Sequence, residues 1–131
     1  MSPGKMKLTQ SIQMDPKRVR MFRARIVGLI ADGHTEVALR LLSEYYGISE
    51  PTLRVGTVKR HRNVLACYVE KEKRIYMSKS EFITNPFVVL HEFYHHLRAS
   101  DFGRNRQVEK RADLFASNFI RDFRTVSAGF T

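Results

Sequence analysis

The stretch VVLHEFYHHL, residues 88 to 97, sets His91, Glu92, His95 and His96 into an otherwise apolar run. His91, Glu92 and His95 fit the pattern H-E-x-x-H. On a helix, positions i and i+4 stack on one face, so two imidazoles at this spacing can converge on a single ion. Two ring nitrogens at about 2.0–2.1 Å would supply half of a tetrahedral zinc site. Glu92, one residue past the first histidine, would reach a metal-bound water without itself binding the metal. It would take that water's proton and pass it to a leaving amine. The competing reading is a core helix whose histidines simply hydrogen-bond to their neighbours. Against it stand Phe87, Val88, Val89 and Leu90, because burying His91 and Glu92 beside that run is costly unless something pairs with them.

A zinc peptidase needs a third protein ligand and a fourth position open to water. The best candidate lies in QVEKRADLFASNF, residues 107 to 119. Glu109 comes 14 residues after His95, enough chain to leave one helix, turn and enter a second packed against it. Glu109, Asp113, Ala116 and Ile120 fall on one stripe of that second helix. Asp113, one turn after Glu109, is placed to accept the other ring N–H of a zinc-bound histidine. The plainer account of Glu109 is a first-turn glutamate favoured by the helix dipole. Asp101 competes for the same role, but no histidine follows His96, so the longer motif with a third histidine is absent and Glu109 is preferred. Tyr76, Tyr94, His96 and His61 are candidates to stabilise an oxyanion.

HEFYH followed by EKRADLFA resembles the gluzincin zinc peptidases, whose third ligand is a glutamate on a downstream helix. More closely, E-x-x-A-D/N-x-F-A after H-E-x-x-H is similar to the ImmA/IrrE family of small intracellular metallopeptidases and to the minimal single-domain gluzincins of archaea. The specific part of the likeness covers residues 86 to 119. It implies one zinc ion held by His91, His95 and Glu109, with Glu92 as general base. It also implies a strand near Arg74 to Ser78 serving as the sheet edge along which a peptide lies, and a regulatory protein as substrate.

The elements that must position these groups follow from periodicity. Asp15-Pro16 opens a helix, with Val19, Phe22, Ile26, Leu29 and Ile30 at helical spacing up to Gly33. Thr35 caps a second helix that ends at Gly47. LRVGTVKR, NVLACYVE and RIYMS then read with period two, separated by KRHR and KEK, as about three antiparallel strands. Asn85-Pro86 opens the motif helix, from about Phe87 to Ala99. A polar loop follows, and the glutamate helix runs from about Gln107 to Arg124. The expectation is one α+β, zincin-like domain over residues 16–131 behind a flexible lead-in, residues 1–15.

Bulk composition bounds the rest. A chain of 131 residues with 43% hydrophobic and 27% charged residues suits one globular domain. Its single cysteine, Cys67, excludes an internal disulfide and fits a reducing, cytoplasmic setting. No run approaches the roughly 20 apolar residues that span a bilayer, and the N-terminus lacks the apolar stretch of a secretion signal. The net charge of +10 admits a polyanionic partner, and Arg18, Arg20, Arg23 and Arg25 make the first helix its best anchor. Two function classes result. One is a zinc-dependent endopeptidase cutting an intracellular protein. The other is a metal-stabilised domain, catalytically weak or held latent by Ser127 to Thr131, that binds nucleic acid or a protein through its basic surface.

Overall fold

The structure, a computed structural model, describes residues 15–59, 63–99 and 105–129. Residues 1–14 of the expected lead-in, His61, Asp101 and the last two residues of the Ser127 to Thr131 tail lie outside these residues. The chain forms helices α1 (Pro16–Ala31) and α2 (Thr35–Tyr46), strands β1 (Thr52–Val55), β2 (Ala66–Val69) and β3 (Arg74–Met77), then helices α3 (Pro86–Leu97) and α4 (Arg106–Ser127). It is an α+β domain with a small mixed sheet.

α1 starts where Asp15 accepts a hydrogen bond from the Lys17 amide at 3.0 Å, with Pro16 in the first turn, where no amide N–H is needed. It stops before Gly33, whose φ of 92° is costly for residues with a side chain. α2 ends at Gly47, again left-handed. Its start differs from expectation. The cap position is His34, and the Thr35 hydroxyl donates instead to the carbonyl of Ile83 at 2.6 Å, 48 residues away. A tertiary partner has outcompeted the local amide.

The sheet departs from the expected antiparallel arrangement. β2 and β3 pair antiparallel across the short 3-10 turn Glu70–Glu72 and left-handed Lys73, but β1 pairs with β3 in parallel. The order is β1-β3-β2. After β1 the chain therefore crosses the sheet before returning as β2, which lets the first and third strands run the same way. A second correction follows: Arg74–Met77 is the central strand, with both backbone edges engaged, so the outer edges belong to β1 and β2.

Ile26, Ile30, Leu39, Leu42, Ile75, Met77, Val89, Leu90, Phe93 and Phe119 are essentially inaccessible and join both helix pairs to the sheet. Each such side chain contributes about 1.5–3 kcal/mol by leaving water. α4 packs against both α1 and α3, and α3 also lies against β2. The motif helix is thus held from two sides. Among the described residues no helix is long and apolar enough to cross a membrane.

Candidate metal centre

Two capped helices build the site. Asn85 accepts a hydrogen bond from the Val88 amide at 3.2 Å and Pro86 begins α3. Asn105 does the same for Val108 at 3.0 Å at the start of α4. α3 is apolar almost all round, as a helix packed on two sides must be, and buries Val88, Val89, Leu90, Glu92, Phe93, His95 and His96. α4 carries one apolar stripe and leaves Arg106, Lys110 and Arg111 to solvent. The two helices cross antiparallel: His91 faces Asp113 and Glu109, while His95, one turn on, faces Glu109.

One ligand atom each from His91, His95 and Glu109 lies within 4.8 Å of the others. His91 Nε2 stands 3.0 Å from Glu109 Oε1, and His95 Nε2 stands 3.0 Å from Glu109 Oε2. Atoms bound at 2.0–2.1 Å to one tetrahedral ion sit about 3.4 Å apart, so the cluster has the dimensions of a single-ion site. Burial is graded across it. The His95 side chain is 4% exposed, His91 16% and Glu109 41%, which leaves the α4 side open to water and ligands.

The contacts around Glu109 call for positive charge, from protons on the imidazoles or from one ion. His91 Nδ1 lies 2.8 Å from Asp113 Oδ1, a bond that places the ring proton on Nδ1 in the neutral tautomer. Nε2 then presents a lone pair to the Glu109 carboxylate, which has only lone pairs to return. The geometry at His95 is a close approach to Glu109 rather than an aligned hydrogen bond. A proton on each Nε2 would relieve the two contacts one by one; a single metal ion would relieve both together. The donor set of two imidazoles and a carboxylate suits zinc, and also manganese, iron or cobalt.

The other expected site residues separate. Glu92 is buried on α3 between the two histidines in sequence, at 6% exposure. Tyr94 is half-buried, with its ring 6.5 Å from that of His95 and 5.3 Å from Phe115. Tyr76 lies on β3 and donates its hydroxyl to Glu72. His96 is neither on the surface nor at the triad. Its Nδ1 meets the Tyr68 hydroxyl at 2.7 Å and its Nε2 meets the Ser49 carbonyl at 2.7 Å. Burial holds the His96 pKa below its ordinary value, the Ser49 carbonyl partly opposes this, and Lys73 adds to it. A neutral ring that donates from Nε2 and accepts at Nδ1 satisfies both partners, so His96 ties α3 to the chain before β1.

Two further residues stand out. Phe87, one turn before His91, keeps its ring 6.2 Å from that histidine and is exposed. Asp122, far along α4, is buried and clamps Arg23 of α1 at 3.1 Å. A lone acid between arginines on the apolar side of a helix was its only local signal. No known protein family, curated protein or solved structure matches the chain.

Proposed function

We propose that this is a metal-dependent endopeptidase of the H-E-x-x-H plus glutamate type, with a zincin-like domain and zinc as its ion. The observation that carries the reading is the convergence of His91, His95 and Glu109 from two helices, with Asp113 behind His91. A divalent cation held by those three side chains would supply a Lewis acid able to lower the pKa of water and polarise a peptide carbonyl.

The remaining chemistry belongs to the chain. Asp113 fixes the His91 ring and its tautomer. Glu92, adjacent to His91 and shielded from bulk water, is the general base: its carboxylate takes a proton from the attacking water and returns it to the leaving amine. Tyr94, packed beside His95, is the best remaining donor to a developing oxyanion, since His96 and Tyr76 are committed to Tyr68, Ser49 and Glu72. An extended peptide would align on the outer edge of β2, the strand against α3, in place of the central β3. The substrate class is an intracellular protein, as the resemblance to the ImmA/IrrE family implies.

The test is hydrolysis of an unstructured protein such as casein by zinc-loaded wild type beside Glu92→Gln. Turnover that the substitution abolishes without loss of bound zinc supports the reading. Equal turnover in both, or none in either with zinc bound, contradicts it.

A further inference from the structure

A second site sits at the other end of α4, nine residues and about 13 Å of helix beyond Asp113. Here Asp122, with a side chain only 5% exposed, faces two guanidiniums. Arg23 of α1 reaches its Oδ2 at 3.1 Å, and Arg121 approaches its Oδ1 at 3.3 Å through both Nε and Nη2. A clamp between α1 and α4 needs only Arg23. Arg121 adds a second cation whose side chain is 63% exposed, and its Nη1 is steadied by Asn118 at 3.2 Å. Each guanidinium has five N–H groups, so both retain donors beyond the bonds to Asp122 and Asn118. With Pro16, Val19, Arg20 and Thr125 they line an open groove of about 430 Å³. Three guanidiniums around one carboxylate leave this groove positive, with the fork geometry that suits phosphate oxygens.

The opposite flank of α1 holds a different chemistry. Phe22 and Tyr45 stack with ring centroids 4.2 Å apart and planes 13° from parallel. Together with Lys17, Arg18, Val19 and Met21 they line a groove of about 400 Å³. Val19 borders both grooves, so cations and aromatic rings adjoin across the first two turns of one helix. α1 carries five Lys and Arg residues and no Asp or Glu.

We infer that the N-terminal half of α1, with Tyr45 and Arg121, is a binding surface for single-stranded nucleic acid. Its phosphates would lie against Arg23, Arg121, Lys17 and Arg18, with a base against the Phe22–Tyr45 pair. Basic tracks interleaved with aromatic faces are how single strands are held without sequence preference. An acidic protein segment would satisfy the cations but gain less from the aromatic pair. This inference is independent of the peptidase reading, because it uses neither the triad nor Glu92.

The test is fluorescence polarisation of a labelled 20-nucleotide oligo(dT) with the full chain across a salt series, beside a duplex of equal length and poly-glutamate as competitor. Four phosphate contacts predict a slope of log affinity against log salt near about −3. Arg18→Ala with Arg121→Ala changes exposed side chains, so the fold should persist; it should flatten the slope by about 1.4 and weaken binding by about tenfold. Tyr45→Leu should weaken binding by about fivefold or more at an unchanged slope. Absence of binding at 50 mM salt, or binding that the double variant leaves unchanged, overturns the inference. So does tighter binding of poly-glutamate than of the oligonucleotide at matched charge, which would point to an acidic protein, or a preference for duplex.

Discussion

Asp113 touches the proposed centre only through His91, which makes its removal a graded test of how the site is organised. The carboxylate accepts from His91 Nδ1 at 2.8 Å, and its side chain is 58% exposed. Loss of a carboxylate behind a zinc-bound histidine typically costs about 10- to 100-fold in metal affinity. Because Asp113 is more than half exposed, water can take over part of its role and solvent screens its charge. The lower end of that range applies, about tenfold or about 1.4 kcal/mol. The assay is competition for zinc against a chromogenic chelator at pH 7.5, comparing wild type with Asp113→Ala and Asp113→Asn. The alanine variant should fall by about tenfold, and the asparagine variant, which keeps an acceptor, should lie between it and wild type. The thermal midpoint of the metal-free protein should hardly move. Unchanged affinity in the alanine variant would refute the reasoning, and a loss as large as that of His95→Ala would make Asp113 a ligand.

Glu92→Gln should keep stoichiometric zinc while peptide hydrolysis falls by about 10²- to 10⁴-fold, read by paired metal analysis and turnover. Asn85→Ala removes the acceptor for the Val88 amide at the start of α3 and should cost about 1 kcal/mol, lowering the melting midpoint by about 3–6 °C in a calorimetric scan. His96 supplies a pH dependence of stability. Its pKa is lowered in the folded state, so between that value and the ordinary one of about 6.5 the unfolded chain binds more protons. Stability must therefore decline as pH falls through that window. Urea unfolding of metal-free protein from pH 7.5 to 5.5 should show a steeper loss for wild type than for His96→Gln, and parallel curves would exclude the effect.

Local signals in the sequence carried the helices well, because caps and stops act over a few residues. Asp15-Pro16 and Asn85-Pro86 both place a side-chain acceptor before a proline, and both helices begin there. Partner choice was less legible. Period-two alternation marks a strand but says nothing about its neighbour, so it implies neither the parallel pairing of Thr52–Val55 with Arg74–Met77 nor the central position of Tyr76. Thr35 reads as a cap because its real acceptor, the Ile83 carbonyl, lies on a distant segment. The 100° offset of His96 from His95 takes it off the triad face but does not say what covers it. The apolar run on every side of α3 was the signal that a residue off the triad face would also be buried. Asp122 and its two arginines are a tertiary arrangement with no motif of their own.

Everything proposed for the chemistry depends on His91, His95 and Glu109 holding one metal ion. The most direct measurement is metal content per chain by mass spectrometry for purified wild type, His95→Ala and Glu109→Ala, each checked for folding by circular dichroism. Wild type should hold close to one zinc per chain and both variants far less. Zinc that survives Glu109→Ala would move the third ligand elsewhere, and well-folded wild type that takes up no metal from zinc-supplemented buffer would mean that the three side chains hold no ion.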